Sequence, residues 1–120
     1  MKVNELLVEA GKAVGYPVAQ DIYEGAGKNI TFTYEDEREM LYADNEGQEE
    51  TAWLMVSMNT PRDYDYFRDK EKFKRELQKR GFNVESVQSW LESTMTGTQR
   101  TRRTVFSVNI TRTIEKQEEM

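Results

Sequence analysis

Apolar residues at Val3, Leu6, Leu7, Ala10 and Val14 recur at the spacing of one helical face, and Gly15 followed by Tyr16-Pro17 supplies a stop. The chain therefore opens on an amphipathic helix. The period then changes. Val18 to Tyr23 reads as a short strand ahead of the flexible Gly25-Ala26-Gly27, after which Ile30, Phe32 and Tyr34 alternate with Thr31, Thr33 and Glu35 as in a half-buried strand. Glu39 to Ala43 and Thr51 to Met58 flank Asp44-Asn45-Glu46-Gly47-Gln48, where Asn45 and Gly47 accept positive φ, so a hairpin follows. Ala52, Leu54, Val56 and Met58 then share one side. That leaves Trp53 and Met55 on the other, and either Trp53 is an ordinary core aromatic in a shifted register or a partner covers that second face.

The second helix carries the richest local signals. Thr60 suits its N-cap, Pro61 the first helical position and Asp63 the acid of a capping box, which predicts a helix from about Thr60 to Arg80. Gly81 fits the left-handed position beyond the helix, and in that frame Phe82 and Leu77 are the pair that touch across a Schellman ending. Tyr66, Phe67, Phe73 and Leu77 form a narrow apolar stripe. Glu71 with Arg75, Lys72 with Glu76, and Glu76 with Arg80 dress the outer side. The last third reads as two strands, Val84 to Met95 and Arg102 to Glu115, with Phe106, Val108, Ile110 and Ile114 on one face and a charged tail over 116–120 that frays. No repeat or linker interrupts this order. It predicts a single α+β domain over 1–120, an antiparallel sheet of four or more strands with two α-helices packed on one face.

Composition narrows the chemistry more than the fold. At 120 residues, 37% hydrophobic and 32% charged, the chain supports one core. The absence of Cys and His excludes disulfides, thiolate nucleophiles, Ser-His-Asp and Cys-His catalysis and the usual zinc sites. The apolar runs fall short of a membrane span, and Met1-Lys2-Val3-Asn4-Glu5 lacks the apolar core of a secretory signal, so a soluble, intracellularly made protein is expected. The acids around Glu35 to Asp44 leave Mg²⁺ or Ca²⁺ binding in a nuclease-like, carboxylate-dependent enzyme as an alternative to the plain solvated face that charge runs more often form. They lack EF-hand spacing. Gly25-Ala26-Gly27-Lys28 lacks the strand-loop-helix setting of a phosphate site. No catalytic, cofactor or metal residues are assigned, and a small monomeric adaptor is the third alternative.

The net charge of −5 is unevenly placed. The acids gather between Glu35 and Glu50, whereas Thr96 to Arg112 holds no acid and contains Arg100, Arg102, Arg103 and Arg112. These arginines suit phosphate, a protein partner or solvent; an acidic chain argues against sequence-specific nucleic-acid binding, and Arg is enriched at protein interfaces. Arg100, Arg102, Arg103, Trp53, Glu37 and Asp44 are accordingly the candidate protein-interface residues. The two segments are expected to meet between subunits, or to pair within one chain.

The order of pieces resembles the tail completion and tail terminator proteins of long-tailed phages, and similar neck proteins of phages and prophages of Gram-positive bacteria. The likeness spans nearly the whole chain. It runs from the N-terminal helix through Gln20-Asp21-Ile22-Tyr23-Glu24-Gly25, Ile30-Thr31-Phe32-Thr33-Tyr34 and Tyr42-Ala43-Asp44, then Thr60-Pro61 before Asp63-Tyr64-Asp65-Tyr66-Phe67, and Gly81-Phe82 before a hairpin. The resemblance implies a non-enzymatic protomer of a ring, commonly hexameric, that caps the tail tube and meets the head connector. It also implies a place in the virion after synthesis in the bacterial cytoplasm.

Overall fold

The computed structural model describes residues 2–41, 48–93 and 100–114. Its elements are α1 (Val3–Val14), β1 (Val18–Gln20), β2 (Asn29–Leu41), β3 (Gln48–Pro61), α2 (Phe67–Lys79), β4 (Asn83–Ser93) and β5 (Arg100–Ile114). The strands form one five-stranded sheet in the order β1-β2-β3-β5-β4. Both helices lie on the face that carries Ile30, Phe32, Leu54, Val56, Met58, Phe106 and Val108, and these residues form one core with Val3, Leu7 and Ala10 of α1 and Phe73 and Leu77 of α2. The period-two pattern read in β3 and β5 is thus the pattern that selects the helix-bearing face.

Phe73 meets Phe106 edge-on with ring centroids 5.2 Å apart, and both are fully buried. Such a pair adds directionality to area burial, since the ring edge faces the partner's π-cloud. Along β3, Ala52, Leu54, Val56 and Met58 stand opposite Ile110, Val108, Phe106 and Thr104 of β5, so the apolar strip is continuous across the two central strands. Thr104 is the polar member of that strip, and its hydroxyl meets Ser89 at 2.8 Å.

The sheet is mixed, which corrects the antiparallel expectation. β1 runs parallel to β2, with Val18 opposite Ile30 and Gln20 opposite Phe32. The cause lies in α1, which ends where β2 begins: the Ile30 N–H donates to the Pro17 carbonyl, so a chain leaving the helix through Gly15 must travel in the direction of β2. The strand expected over Val18 to Tyr23 stops at Gln20, where Asp21 turns with φ 66°. The strand expected around Ile30–Tyr34 and the described part of the one expected over Glu39 to Ala43 are one strand with a bulge between Tyr34 and Asp36, where Glu35 is the extra residue; Tyr42 and Ala43 lie outside the described residues.

The start of the second helix also differs. Thr60 and Pro61 are the last residues of β3, opposite Arg102 and Thr101, and α2 begins at Phe67. Thr60 is 1% exposed and its hydroxyl reaches the Arg102 carbonyl at 3.4 Å, so sheet pairing and burial override its capping propensity. At the other end the expected Schellman geometry is present: Phe82 N–H donates to Leu77 O and Gly81 N–H to Gln78 O, with Gly81 at φ 97°. Phe82 and Leu77 are both buried. Arg80 then ties the two helices, donating to Glu76 Oε1 at 2.6 Å and standing 3.6 Å from Glu9 of α1.

Truncation of the central aromatic tests this core. Phe73→Ala is expected to lower unfolding free energy by about 3–5 kcal/mol, whereas Gly81→Val costs about 1 kcal/mol or more through the left-handed φ. Urea denaturation midpoints equal to the parent's for both would show that neither the core nor the helix ending is placed correctly.

Candidate protein interface

The pairing register separates the acids Glu35 to Glu37 from Arg102 along the sheet. Glu37 stands beside Ala52 of β3 and Arg102 beside Thr60, roughly 26 Å apart at the rise of an extended chain. The two segments therefore do not pair within one chain through these residues. Glu35, Asp36 and Glu37 are exposed on β2 beyond the stretch that β1 covers. Burial first, and then the charges of Glu37 and Glu50, push the Tyr34 hydroxyl above its ordinary value against the opposing effect of Arg112. Arg112 sits opposite Glu50 in the register, which separates it from the other arginines. Asp44 lies outside the described residues, and Arg100 is described in its backbone alone.

Arg102 and Arg103 are adjacent in sequence and point to opposite faces, as strand geometry requires. Arg103 is engaged within the chain: its guanidinium lies 3.4 Å from Glu92 Oε1 and donates to Ser57 Oγ at 3.2 Å. Trp90, its direct neighbour on β4, donates its indole N–H to the same Glu92 oxygen at 3.0 Å. Arg102 is on the helix face, stacked 4.8 Å from the Tyr66 ring. Tyr66 stacks on Phe67 at 4.7 Å, and Lys70 lies 4.8 Å from the Phe67 ring. Phe67, expected on the buried stripe, is 60% exposed, because α2 starts only there and its side chain stays outside the core.

No described element packs on the second face of the sheet. Trp53 lies there half-buried, between Asp36 and Asn109 in the register, with Met55 further along the strand. The register read from the sequence is therefore correct, and Trp53 is not part of the core between sheet and helices. The face is otherwise a ladder of hydroxyls and amides, with Thr51 meeting Thr111 at 2.9 Å and Asn59 donating to Asn29 at 2.9 Å. Ser57 and Val105, opposite one another, are 2% and 5% exposed with Arg103 leaning over Ser57.

A second polar group gives no signal in the sequence because its members are far apart in the chain. Tyr16 and Tyr64 both donate to Asp69 Oδ2 at 2.7 Å, and the Lys28 ammonium lies 3.2 Å from the Tyr64 hydroxyl and over both rings. Burial, then the Asp69 carboxylate, drive the Tyr16 hydroxyl far above its ordinary value. Burial works to raise the Asp69 carboxyl as well, yet the hydrogen bonds from Tyr64 and Tyr16 and the nearby Lys28 outweigh it and hold the group below its usual range. An acid pushed down and a phenol pushed up are both moved away from neutrality, the reverse of what proton transfer at pH 7 requires. The cluster acts as a clamp that joins the end of α1, the loop before β2 and the first turn of α2.

Among the described residues no group of three or more acids is placed to hold a metal ion. The groove along α1 is lined by Asn4, Glu5, Val8, Glu9 and Lys12, a single outward helix face without convergent polar groups. No described helix is long and apolar enough to cross a membrane. Models of known protein families give no match to this chain, and neither does any curated protein sequence.

The clamp has a pH signature. Because the folded state holds Asp69 below its unfolded value near ~3.9, its contribution is complete above that pH and is lost as pH falls through the folded value. Asp69→Asn should cost roughly 1–2 kcal/mol at pH 7, where charge-assisted hydrogen bonds are lost, and less near pH 3. Thermal melts in which the deficit is equal at both pH values would show that the carboxylate is not the acceptor that matters.

Proposed function

We propose that this chain is a structural, non-enzymatic protomer of a ring in the neck of a phage or prophage tail, as a tail terminator, tail completion or head-tail joining protein. The observation that carries the reading is the separation, along one sheet, of the acidic stretch Glu35 to Glu37 from the cation Arg102. A ring grows by contacts in which one surface of a protomer meets a different surface of the next, and two complementary surfaces on one chain fit that requirement. A two-fold dimer also pairs such surfaces, each with its complement on the other copy, so the size of the oligomer is what separates the two arrangements. The order of helix, strands, helix and hairpin that resembles the tail proteins supports the same reading, as does the half-buried Trp53 on a sheet face without a helix.

In this role the tail tube protein and the head connector are the partners beyond the ring itself, and the virion neck is the location after synthesis in the host cytoplasm. A Tyr16 hydroxyl pushed up and an Asp69 carboxyl pushed down, both away from neutrality, fit a scaffold. Native mass measurement and sedimentation should find a closed oligomer, commonly of six copies, that weakens as salt rises, since the contact is screened within about 8 Å at physiological ionic strength. A chain that stays monomeric at low salt and high concentration, and that fails to support tail completion in a phage lacking its own terminator, overturns the proposal.

A further inference from the structure

Only one of the two neighbouring arginines is equipped to receive an acidic partner. Arg103 already has Glu92 and Ser57, whereas Arg102 lies against the Tyr66 ring, and Lys70 stands 4.8 Å from the Phe67 ring and 5.9 Å from the Tyr66 ring. Among the described residues neither Arg102 nor Lys70 has a carboxylate within ion-pair distance. Two large apolar side chains border them. Phe67 is 60% exposed, and Leu91, directly opposite Arg102 on β4, is 39% exposed. A stacked aromatic pair with two cations against its rings, and exposed apolar surface beside it, has the composition of an interface hot spot for an acidic ligand.

We infer that this shelf of Arg102, Tyr66, Phe67 and Lys70 is the docking site for the Glu35-Asp36-Glu37 edge of β2 on a second copy of the chain. The inference rests on the ring reading and deepens it by naming which cations make the contact. Charge complementarity selects the occupant: Glu35, Asp36 and Glu37 are consecutive, exposed and roughly 20 Å or more along the sheet from Arg102, so the two surfaces meet only between copies. The bulge at Glu35 turns the strand locally and presents acids to both sides of the sheet edge. The guanidinium of Arg102, already fixed by stacking, loses less freedom on binding than an unrestrained side chain would.

The test is a pair of charge-reversed proteins, each checked for parental circular dichroism and melting. One carries Arg102→Glu with Lys70→Glu, the other Asp36→Lys with Glu37→Lys. Each alone presents like charges at both surfaces and should assemble at least about tenfold more weakly than the parent in low salt. Mixed in equal amounts, each supplies what the other lacks, and assembly should return with the two proteins in equal proportion. Arg103→Glu, the control, should leave assembly within about twofold of the parent, because its charge is held inside the chain. A parent that assembles while the reversed proteins also assemble, or whose mixture fails to recover, overturns this contact and leaves the ring reading standing. A parent that is monomeric overturns both. If reversal of the shelf leaves assembly intact but abolishes binding of a labelled oligonucleotide, the occupant is nucleic acid and the inference is wrong.

Discussion

The strip of apolar side chains shared by β3 and β5 is the constraint on which the other elements depend. Val56 and Phe106 stand opposite one another at the middle of the sheet, and Phe73 packs edge-on against Phe106 from above. α2 can lie only where Phe73 and Leu77 reach this strip, and its ending at Gly81 follows because Phe82 must return to the same layer. α1 is then set against α2 through Arg80 and Glu9 and through the Tyr16-Asp69 hydrogen bond. Every position that matters for the proposed contacts is downstream of this arrangement. The start of α2 fixes where Tyr66, Phe67 and Lys70 sit, and the register of β5 fixes which arginine faces them.

What could be read from the sequence was what local periodicity controls. The face assignment of Ala52 to Met58, the facing of Trp53, the helix over Val3 to Val14 and the ending at Leu77-Gly81-Phe82 all follow from spacing within a few residues. The errors arise where a long-range contact outvotes a local preference. Thr60-Pro61 has the chemistry of a helix start, yet pairing with Thr101 and Arg102 holds both in the sheet. The direction of β1 depends on where α1 ends relative to β2, which no window of sequence contains. The Tyr16-Lys28-Tyr64-Asp69 cluster was invisible for the same reason.

For the candidate site, the sequence showed the charge asymmetry and the six residues that express it, but treated neighbouring arginines as equivalent. Strand alternation is enough to divide them. Arg103 faces the open side and meets Glu92, while Arg102 faces the helices and meets Tyr66. The aromatic half of the shelf was read as core, since Phe67 continues the apolar stripe on paper; its exposure became visible only once α2 was seen to begin there.

The two borders of the sheet give an independent reason to look for contacts at its ends. β2 beyond β1 and β4 along its outer side are both edge strands, and an unguarded edge invites pairing with another chain. Each carries a bulge with an acid as the extra residue, Glu35 in β2 and Glu85 in β4. β4 holds Glu85 and Glu92 and no basic residue, and β2 holds Glu35, Asp36, Glu37 and Glu39 against Arg38. Bringing the two edges together would set like charges side by side, and the bulges interrupt the ladder that a continuous sheet requires. Strand-to-strand extension is therefore opposed on both borders. What remains for association is side-chain recognition, and the acids that block β2 as a pairing edge are the same acids that complement Arg102 and Lys70. One group of residues thus opposes an open-ended sheet and supplies the charge for the proposed contact between copies.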